Sequence, residues 1–291
     1  MQFLRNLLKG EKRSAPTPGS APASGAPMAS TSFKAGWATD VGKARRHNED
    51  AVLVVMTAHD GGETLTPFGL FILADGMGGH QSGEVASSLA ARTVAHHIMY
   101  HLYLPTLVRQ EHSTDQPALN DVLVNAVQAA NDTVANQVPG GGTTLTCALI
   151  LGPRAYIAHV GDSRAYVVTV GDGLDQVTHD HSLVGRLVEL GQLTRDGAAN
   201  HPQKNVLYRA IGQRGALEVE IHVRTISNGE RLLLCSDGLW GMVSDVEITD
   251  IIAAAPSLQA ACEQLIAAAN RAGGHDNITV ILVEPPQGQV S

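Results

Sequence analysis

Five aspartates stand beside short apolar segments. Asp75 and Asp237 follow the runs FGLFILA (68–74) and RLLLCS (231–236), and each is followed by glycine. Asp50 and Asp276 precede or nearly precede AVLVVM (51–56) and ITVILV (278–283), and Asp162 stands in GDSR between two further runs. If the runs are antiparallel strands, one edge collects the ends of some strands and the starts of their neighbours, so the five carboxylates could converge on one rim. Unpaired carboxylates brought together repel, and such a cluster needs cations. The ligands are all oxygens, with neither cysteine nor paired histidine, so a hard ion such as Mg²⁺ or Mn²⁺ suits them better than zinc. Each piece also has a plain structural reading. Asp-Gly is a common tight-turn dipeptide, and GDSR fits a hairpin tip. Recurrence at strand ends, together with RRHNED (45–50), shifts the balance toward a site.

The elements that must position these acids are short. Strand patterns cover 51–56, 68–74, 143–151, 155–160, 164–170, 231–236 and 278–283, rich in β-branched residues and separated by turns. Helix patterns cover 83–103, 118–137, 245–254 and 257–272, with apolar stripes and many alanines. Strands come in successive pairs with helices between the groups, which favours antiparallel sheets covered by helices over a wound βαβ fold. The segment 179–212 holds a short helix pattern (182–190) and little apolar content, and reads as a surface flap. No internal repeat is present.

The chain has 291 residues, 44% hydrophobic and 16% charged, as expected of a globular protein with a substantial core. A formal net charge of -8 argues against non-specific nucleic-acid binding. Cys147, Cys235 and Cys262 lie far apart in apolar segments and read as buried thiols in a reducing compartment. No apolar run approaches the roughly 20 residues that span a bilayer. Residues 14–32 are Pro, Ala, Ser and Gly without periodicity, a flexible linker. Before it, Phe3, Leu4, Leu7 and Leu8 share a helical face that could touch a membrane or a partner; the plainer reading is a frayed terminus, since one short amphipathic turn binds weakly.

The series RRHNEDAV (45–52), ADGMGGHQSGEVAS (74–87), GGTTLTCALI (141–150), HVGDSRAY (159–166), CSDGLW (235–240) and HDNITVILV (275–283) resembles the type 2C, metal-dependent protein serine/threonine phosphatases, and most of all their bacterial branch. The match runs in order from about residue 33 to 284. It implies an α+β fold: an α-β-β-α sandwich of two antiparallel sheets flanked by helices, with a metal site at one end and a flap nearby. It also implies a catalytic domain over 33–286, between a flexible tail at 1–32 and a short tail at 287–291. Asp75 matches a carboxylate shared by two ions, and the Gly76 carbonyl a further ligand, at a place where a side chain would obstruct the backbone's approach. Asp237 and Asp276 match other ligands, Glu49 an acid near the second ion with Asp50 in support, and Asp162 a ligand of a third, weaker ion. Arg45 matches the residue that holds the substrate phosphate. His80 follows the glycines at the rim, where a supporting role is open.

The implied reaction is hydrolysis of phosphoserine and phosphothreonine in proteins, countering a cognate bacterial Ser/Thr kinase, by a monomeric cytoplasmic enzyme. A water activated between two ions attacks phosphorus in line, while an arginine and the ions neutralise the oxygens. A cysteine-based phosphatase would need Cys-x5-Arg, and the sixth position after each cysteine holds instead Pro153, Gly241 and Ala268. Met77 stands where many eukaryotic relatives carry a histidine that protonates the leaving group, and methionine cannot do so. Two other readings stay open: a phosphoprotein-binding scaffold without turnover, and a phosphatase of small phosphate esters.

Some residues fall outside this scheme. His97 and His101 are four apart on a helix pattern but lack an evident third ligand, and read as a helix-face pair. His179, Asp180 and His181 in THDHS open the flap and read as structural or substrate-proximal rather than as a metal site. Pro139–Gly142 lacks the lysine of a nucleotide-binding loop. If RRHNED is extended, Arg45 shares a face with Glu49, and Arg46 lies opposite.

Overall fold

The computed structural model describes residues 32–58, 66–78, 81–108, 118–194, 197–198 and 201–286. The strands are β1 (Lys34–Asp40), β2 (Asp50–Met56), β3 (Phe68–Met77), β4 (Gly142–Thr143), β5 (Leu145–Leu151), β6 (Arg154–Val160), β7 (Arg164–Thr169), β8 (Gly173–Gln176), β9 (Glu220–Thr225), β10 (Glu230–Cys235) and β11 (Ile278–Glu284). The helices are α1 (Gln81–Ile98), which continues through a π-helical turn at Met99–Tyr103 into α2 (Leu104–Val108), then α3 (Leu119–Gln137), α4 (Leu183–Glu189), α5 (Asp237–Trp240), α6 (Asp245–Ala254) and α7 (Leu258–Arg271). Helix starts are capped by serine: Ser182, Ser244 and Ser257 accept from the backbone N–H three residues on.

Two sheets form, in the orders β1-β11-β10-β7-β8 and β2-β3-β5-β6-β9, with every strand pairing among the described residues antiparallel and β4 beside the end of β3. Three apolar layers hold them. Leu70 and Ile72 of β3 pack with Val94 of α1 and Val127 of α3. Leu233 of β10 and Val280 of β11 pack with Ile248 of α6 and Leu265 of α7. Between the sheets lie Phe71, Leu73, Ile157, Leu234 and Ile281. The order is therefore helix, sheet, sheet, helix. It explains the unbroken apolar run of β3: with both faces covered, period-2 alternation disappears from the sequence.

Strand expectations hold in place and differ at the ends. β3 runs on through Asp75 and Gly76 to Met77, because Gly76 and Met77 pair with Thr143 and Gly142 of β4. Asp75 thus lies within the strand rather than after it. The expected strand 143–151 breaks at Thr144, and the expected helix 83–103 ends in the π turn. Three strands carried no readable signal: β1, β8 and β9. All three are sheet edges, partly exposed, where an apolar run is not required. The segment 179–212 is only partly a surface flap, since His181, Ser182, Val184, Ala210 and Ile211 are buried and Ile211 pairs with Thr143.

Candidate metal centre

Alternation along the strands decides what reaches the rim. In β3, Phe71 and Leu73 face the layer between the sheets, so Asp75 shares their face. In β2, Val52 and Val54 face that layer, and so does Asp50. The register sets Asp50 directly opposite Asp75. The same parity carries Leu232 and Leu234 on to Ser236, and Val283 and Ile281 back to Thr279 and Asn277. Where the apolar layer ends, its faces therefore continue as polar side chains from both sheets.

These side chains interlock. Thr279 Oγ1 donates to Asp50 Oδ2 at 2.6 Å and Ser236 Oγ donates to it at 3.0 Å, so one carboxylate oxygen of β2 ties the two sheets together. The backbone N–H of Asp75 donates to Thr144 Oγ1 at 2.9 Å, and the Thr143 hydroxyl donates to the Asp75 carbonyl at 2.9 Å. Asn277 clamps the loop that carries Arg45. Its Nδ2 donates to the carbonyls of Val41 (2.9 Å) and His47 (3.0 Å), and its Oδ1 accepts from the Glu49 N–H at 2.8 Å. Gly76 is enclosed: a side chain there would collide with the carbonyls of Gly83 and Glu49, and Gly83 in turn leaves room for the Glu49 carboxylate.

Asp237 opens α5 directly after β10, Asp276 lies just before β11, and Asp162 sits in the turn between β6 and β7. Arg45 reaches in from the loop before β2 and donates from Nη2 to Asp276 Oδ2 at 2.7 Å while half exposed. The structure thus brings together Arg45, Glu49, Asp50, Asp75, Gly76, Asp162, Asp237 and Asp276. His80 lies outside the described residues, as do residues 1–31 of the N-terminal segment and residues 287–291. The extended register that separated Arg45 from Arg46 does not hold, because turns and bends occupy most of residues 42–47 and the strand begins only at Asp50. Arg45 is selected instead by its bond to Asp276.

Burial pushes Asp50 up to about 6 and Asp162 up to about 7, and neighbouring carboxylates add to the rise. Asp75 and Asp237 are held well above the usual carboxylate range by burial and then by the other acids of the rim. Asp50 Oδ1 and Asp237 Oδ1 are buried without a hydrogen-bond partner. Buried, repelling acids with orphaned oxygens fit divalent cations, which supply both the missing charge and the missing contacts. A backbone carbonyl at a side-chain-free glycine adds a further hard oxygen. The three cysteines are buried, with burial pushing Cys235 and Cys262 up to about 12, so no thiolate competes as a nucleophile.

Several residues of this region carried no sequence signal for a site: Ser236, Thr279, Asn277 and the pair Arg164–Trp240. The Arg164 guanidinium lies 3.6 Å over the Trp240 ring, and the Trp240 indole donates to the Asp162 carbonyl at 3.0 Å. Arg164 is itself held by Asp180 through bonds of 2.8 and 2.6 Å. Asp180 therefore supports the turn that carries Asp162. A cleft of about 1000 Å³ runs from Arg45, Asp162, Asp237 and Asp276 toward Val184 and Val188 of α4.

A two-sheet sandwich with an oxygen-only acidic rim and an arginine at its mouth defines a metal-dependent phosphatase. Residues 43–278 match the family described as Protein phosphatase 2C, and the chain belongs to that family. The serine/threonine phosphatase stp of Listeria innocua is 39% identical over 249 residues, covering 84% of this chain and 93% of that protein. The serine/threonine phosphatase of S. agalactiae superposes with a TM-score of 0.73 at 32% identity, covering 87% of this chain and 99% of that one. The catalytic domain of the phosphatase PstP, solved with 2 manganese ions, superposes with a TM-score of 0.69 at 34% identity, covering 87% and 98%.

Proposed function

We propose that this chain hydrolyses phosphoserine and phosphothreonine in proteins, using two divalent cations held by Asp75, the Gly76 carbonyl, Asp237, Asp276 and Glu49, with Asp50 in support. Asp162 serves a third, weaker ion. The observation that carries this reading is the gathering of five buried or half-buried aspartates from both sheets, two of them with orphaned oxygens, beside a half-exposed arginine. When bound, Mg²⁺ or Mn²⁺ generates the nucleophile from water and neutralises the phosphoryl oxygens.

The chain's own groups do the rest. Arg45 gives one N–H to Asp276 and keeps others for phosphoryl oxygens, a planar fork suited to two of them at once. Asp50 keeps the sheets in register through Thr279 and Ser236 and so fixes Asp75 opposite it. The cleft toward α4 has room for the peptide around the phosphorylated residue. The relatives named as serine/threonine phosphatases support the substrate class, and the manganese-bound neighbour supports the cations.

We further assign residues 33–286 as the catalytic unit, 1–32 and 287–291 as tails, a monomeric state, a cytoplasmic location and a cognate Ser/Thr kinase as the opposing activity. No helix among the described residues is long and apolar enough to cross a membrane. The deciding experiment is turnover of a phosphothreonine peptide and of a panel of phosphorylated metabolites, before and after chelation. Peptide turnover that stops on chelation and returns with Mn²⁺ or Mg²⁺ is expected. Activity that survives exhaustive chelation rejects the metal assignment, and turnover of metabolites alone rejects the protein substrate.

A further inference from the structure

Away from the rim, at the start of the flap, four imidazoles surround one carboxylate. Glu220 and His222 alternate along β9 and so share a face. His179 and His181 come from the loop between β8 and α4, and His159 from β6, where it is paired in register with Glu220. The inner nitrogens and the carboxylate form two possible three-ligand groups: His159, His181 and Glu220, or His179, Glu220 and His222, with ligand atoms within 4.8 Å of one another in each.

Hydrogen bonding eliminates the first group. His181 Nδ1 accepts from the Gly161 N–H at 3.0 Å, and its Nε2 is engaged by Glu220 Oε2 at 3.3 Å and by Arg209 Nη1 at 3.2 Å. His159 Nε2 lies 3.0 Å from the Gly161 carbonyl and 3.1 Å from the His179 carbonyl, both acceptors only, so it carries the proton. Its Nδ1 faces the Thr146 hydroxyl at 3.0 Å. Both rings are fully engaged, and burial holds His159 down at about 4, which keeps it neutral.

The second group is different. His179 Nδ1 and His222 Nε2 both point at Glu220 Oε1, the latter at 2.7 Å. Glu220 Oε2 faces away from them and is anchored by His181 Nε2 and by the His179 backbone N–H at 3.4 Å. One carboxylate oxygen is thus oriented from behind while the other converges with two imidazole nitrogens, the arrangement by which outer contacts fix a metal ligand. Ligand atoms on a tetrahedral zinc ion lie about 3.3 Å apart, given bonds of about 2.0–2.2 Å. His179 is 62% exposed and can move outward to admit an ion, which replaces the two hydrogen bonds to Oε1 while each neutral ring keeps its proton on its other nitrogen.

We propose that His179, Glu220 and His222 form a second cation site, for a transition metal of the zinc class rather than for Mg²⁺ or Mn²⁺. Two nitrogens and one carboxylate oxygen suit such an ion, with a fourth position open to water. An ion there ties the start of the flap to the edge strand of the other sheet. It also fixes the residue next to Asp180, whose carboxylate holds Arg164 over Trp240. The site stands independently of the phosphatase reading.

The test is equilibrium dialysis of the full chain against Zn²⁺ in a large excess of Mg²⁺, for the wild type and for His179→Ala, His222→Ala and the double variant. The wild type is expected to hold one more zinc ion per chain than the double variant, with the extra affinity falling at least about tenfold in each single variant. His179→Ala changes an exposed side chain and leaves folding intact. As a second readout, Co²⁺ in a tetrahedral nitrogen-containing site absorbs visible light far more strongly than in an oxygen-only octahedral centre, so the wild type gains bands that His179→Ala loses. Equal zinc uptake and equal Co²⁺ spectra across wild type and variants would overturn the proposal.

Discussion

The acidic rim and the histidine cluster at the flap's start bury carboxylates in opposite company. Burial pushes up Asp50, Asp75, Asp162 and Asp237 at the rim, and it acts in the same direction on Glu220. At the rim the neighbours are other carboxylates, which add to the rise, so Asp50 reaches about 6 and Asp162 about 7. At Glu220, hydrogen bonds from His181, His222 and His179 overcome the burial and hold the acid far below its ordinary range. With no metal bound, the same cost of desolvation is thus met at Glu220 by donors of the chain itself and left unmet at the rim.

The largest expected effect comes from removing charge at the centre of the rim. Asp75→Asn should lower kcat on a phosphothreonine peptide by about a thousandfold or more, since Lewis-acid stabilisation is worth several kcal/mol and about 1.4 kcal/mol is tenfold. Asp237→Asn and Asp276→Asn should each cause a severe loss with a raised Mn²⁺ requirement. Near-normal turnover by Asp75→Asn at saturating Mn²⁺ would remove the distinction between the two regions.

The next effect is on stability in chelator. Asp50, Asp75, Asp162 and Asp237 have folded values raised above the unfolded value of about 3.9. The folded state therefore binds more protons, and stability falls as pH rises between the unfolded and folded values. For Asp50 and Asp162 that window runs from about pH 4 to about pH 7, with a loss of a few kcal/mol in total. Urea titration of the chelated protein across this range measures it, and Mg²⁺ or Mn²⁺ should flatten the slope. A chelated protein whose stability rises through the same window would show that the rim acids are not repelling one another.

Arg45→Ala should cost roughly 10- to 150-fold in kcat/KM, the value of about 1.5–3 kcal/mol for a hydrogen bond to a charged group. Arg46→Ala should change it by less than about twofold. Part of the Arg45 loss should appear in KM, because the bound phosphate is already charged. If Arg46→Ala is the damaging variant, the bond between Arg45 and Asp276 is not the one that orients the substrate-binding arginine.

The rim was readable in the sequence and the histidine cluster was not, for a physical reason. Buried strands announce themselves as apolar runs, and the acids at their ends stand out against them: Asp75 after FGLFILA is visible because everything before it is buried. Antiparallel pairing then forces strand ends and starts to one edge without knowledge of the turns. The register argument for Arg45 failed because a loop has no fixed alternation; its geometry comes from Asn277, far along the chain, holding Val41 and His47. The histidine cluster needs β9, an edge strand whose EIHVRT pattern is half exposed and carries no apolar signal. THDHS alone gave His179 and His181 without their carboxylate. Only the sheet order, which lays β9 beside β6, brings Glu220 and His222 to them.

The smallest effect tests the other half of the comparison. Glu220→Gln keeps the shape of the side chain and removes the charge that three imidazoles share. Its hydrogen bonds are to a charged group, but the site is partly exposed and screened, so the expected loss is about 1–2 kcal/mol in zinc-free Mg²⁺ buffer. The pH dependence carries the information. Glu220 has a folded value depressed below its unfolded one, so its contribution is present above about pH 4.3 and fades as pH falls below that. His179 has a folded value raised, chiefly by its hydrogen bond to Glu220, so its contribution is complete below about pH 6.5 and fades as pH rises through the folded value. The stability difference between wild type and Glu220→Gln should therefore peak between about pH 4.5 and 6.5 and shrink on both sides. The chelated rim, by contrast, should lose stability steadily across the same range. A difference that keeps growing above neutral pH would mean that Glu220 is stabilised by donors that do not titrate, and that His179 is not its charged partner.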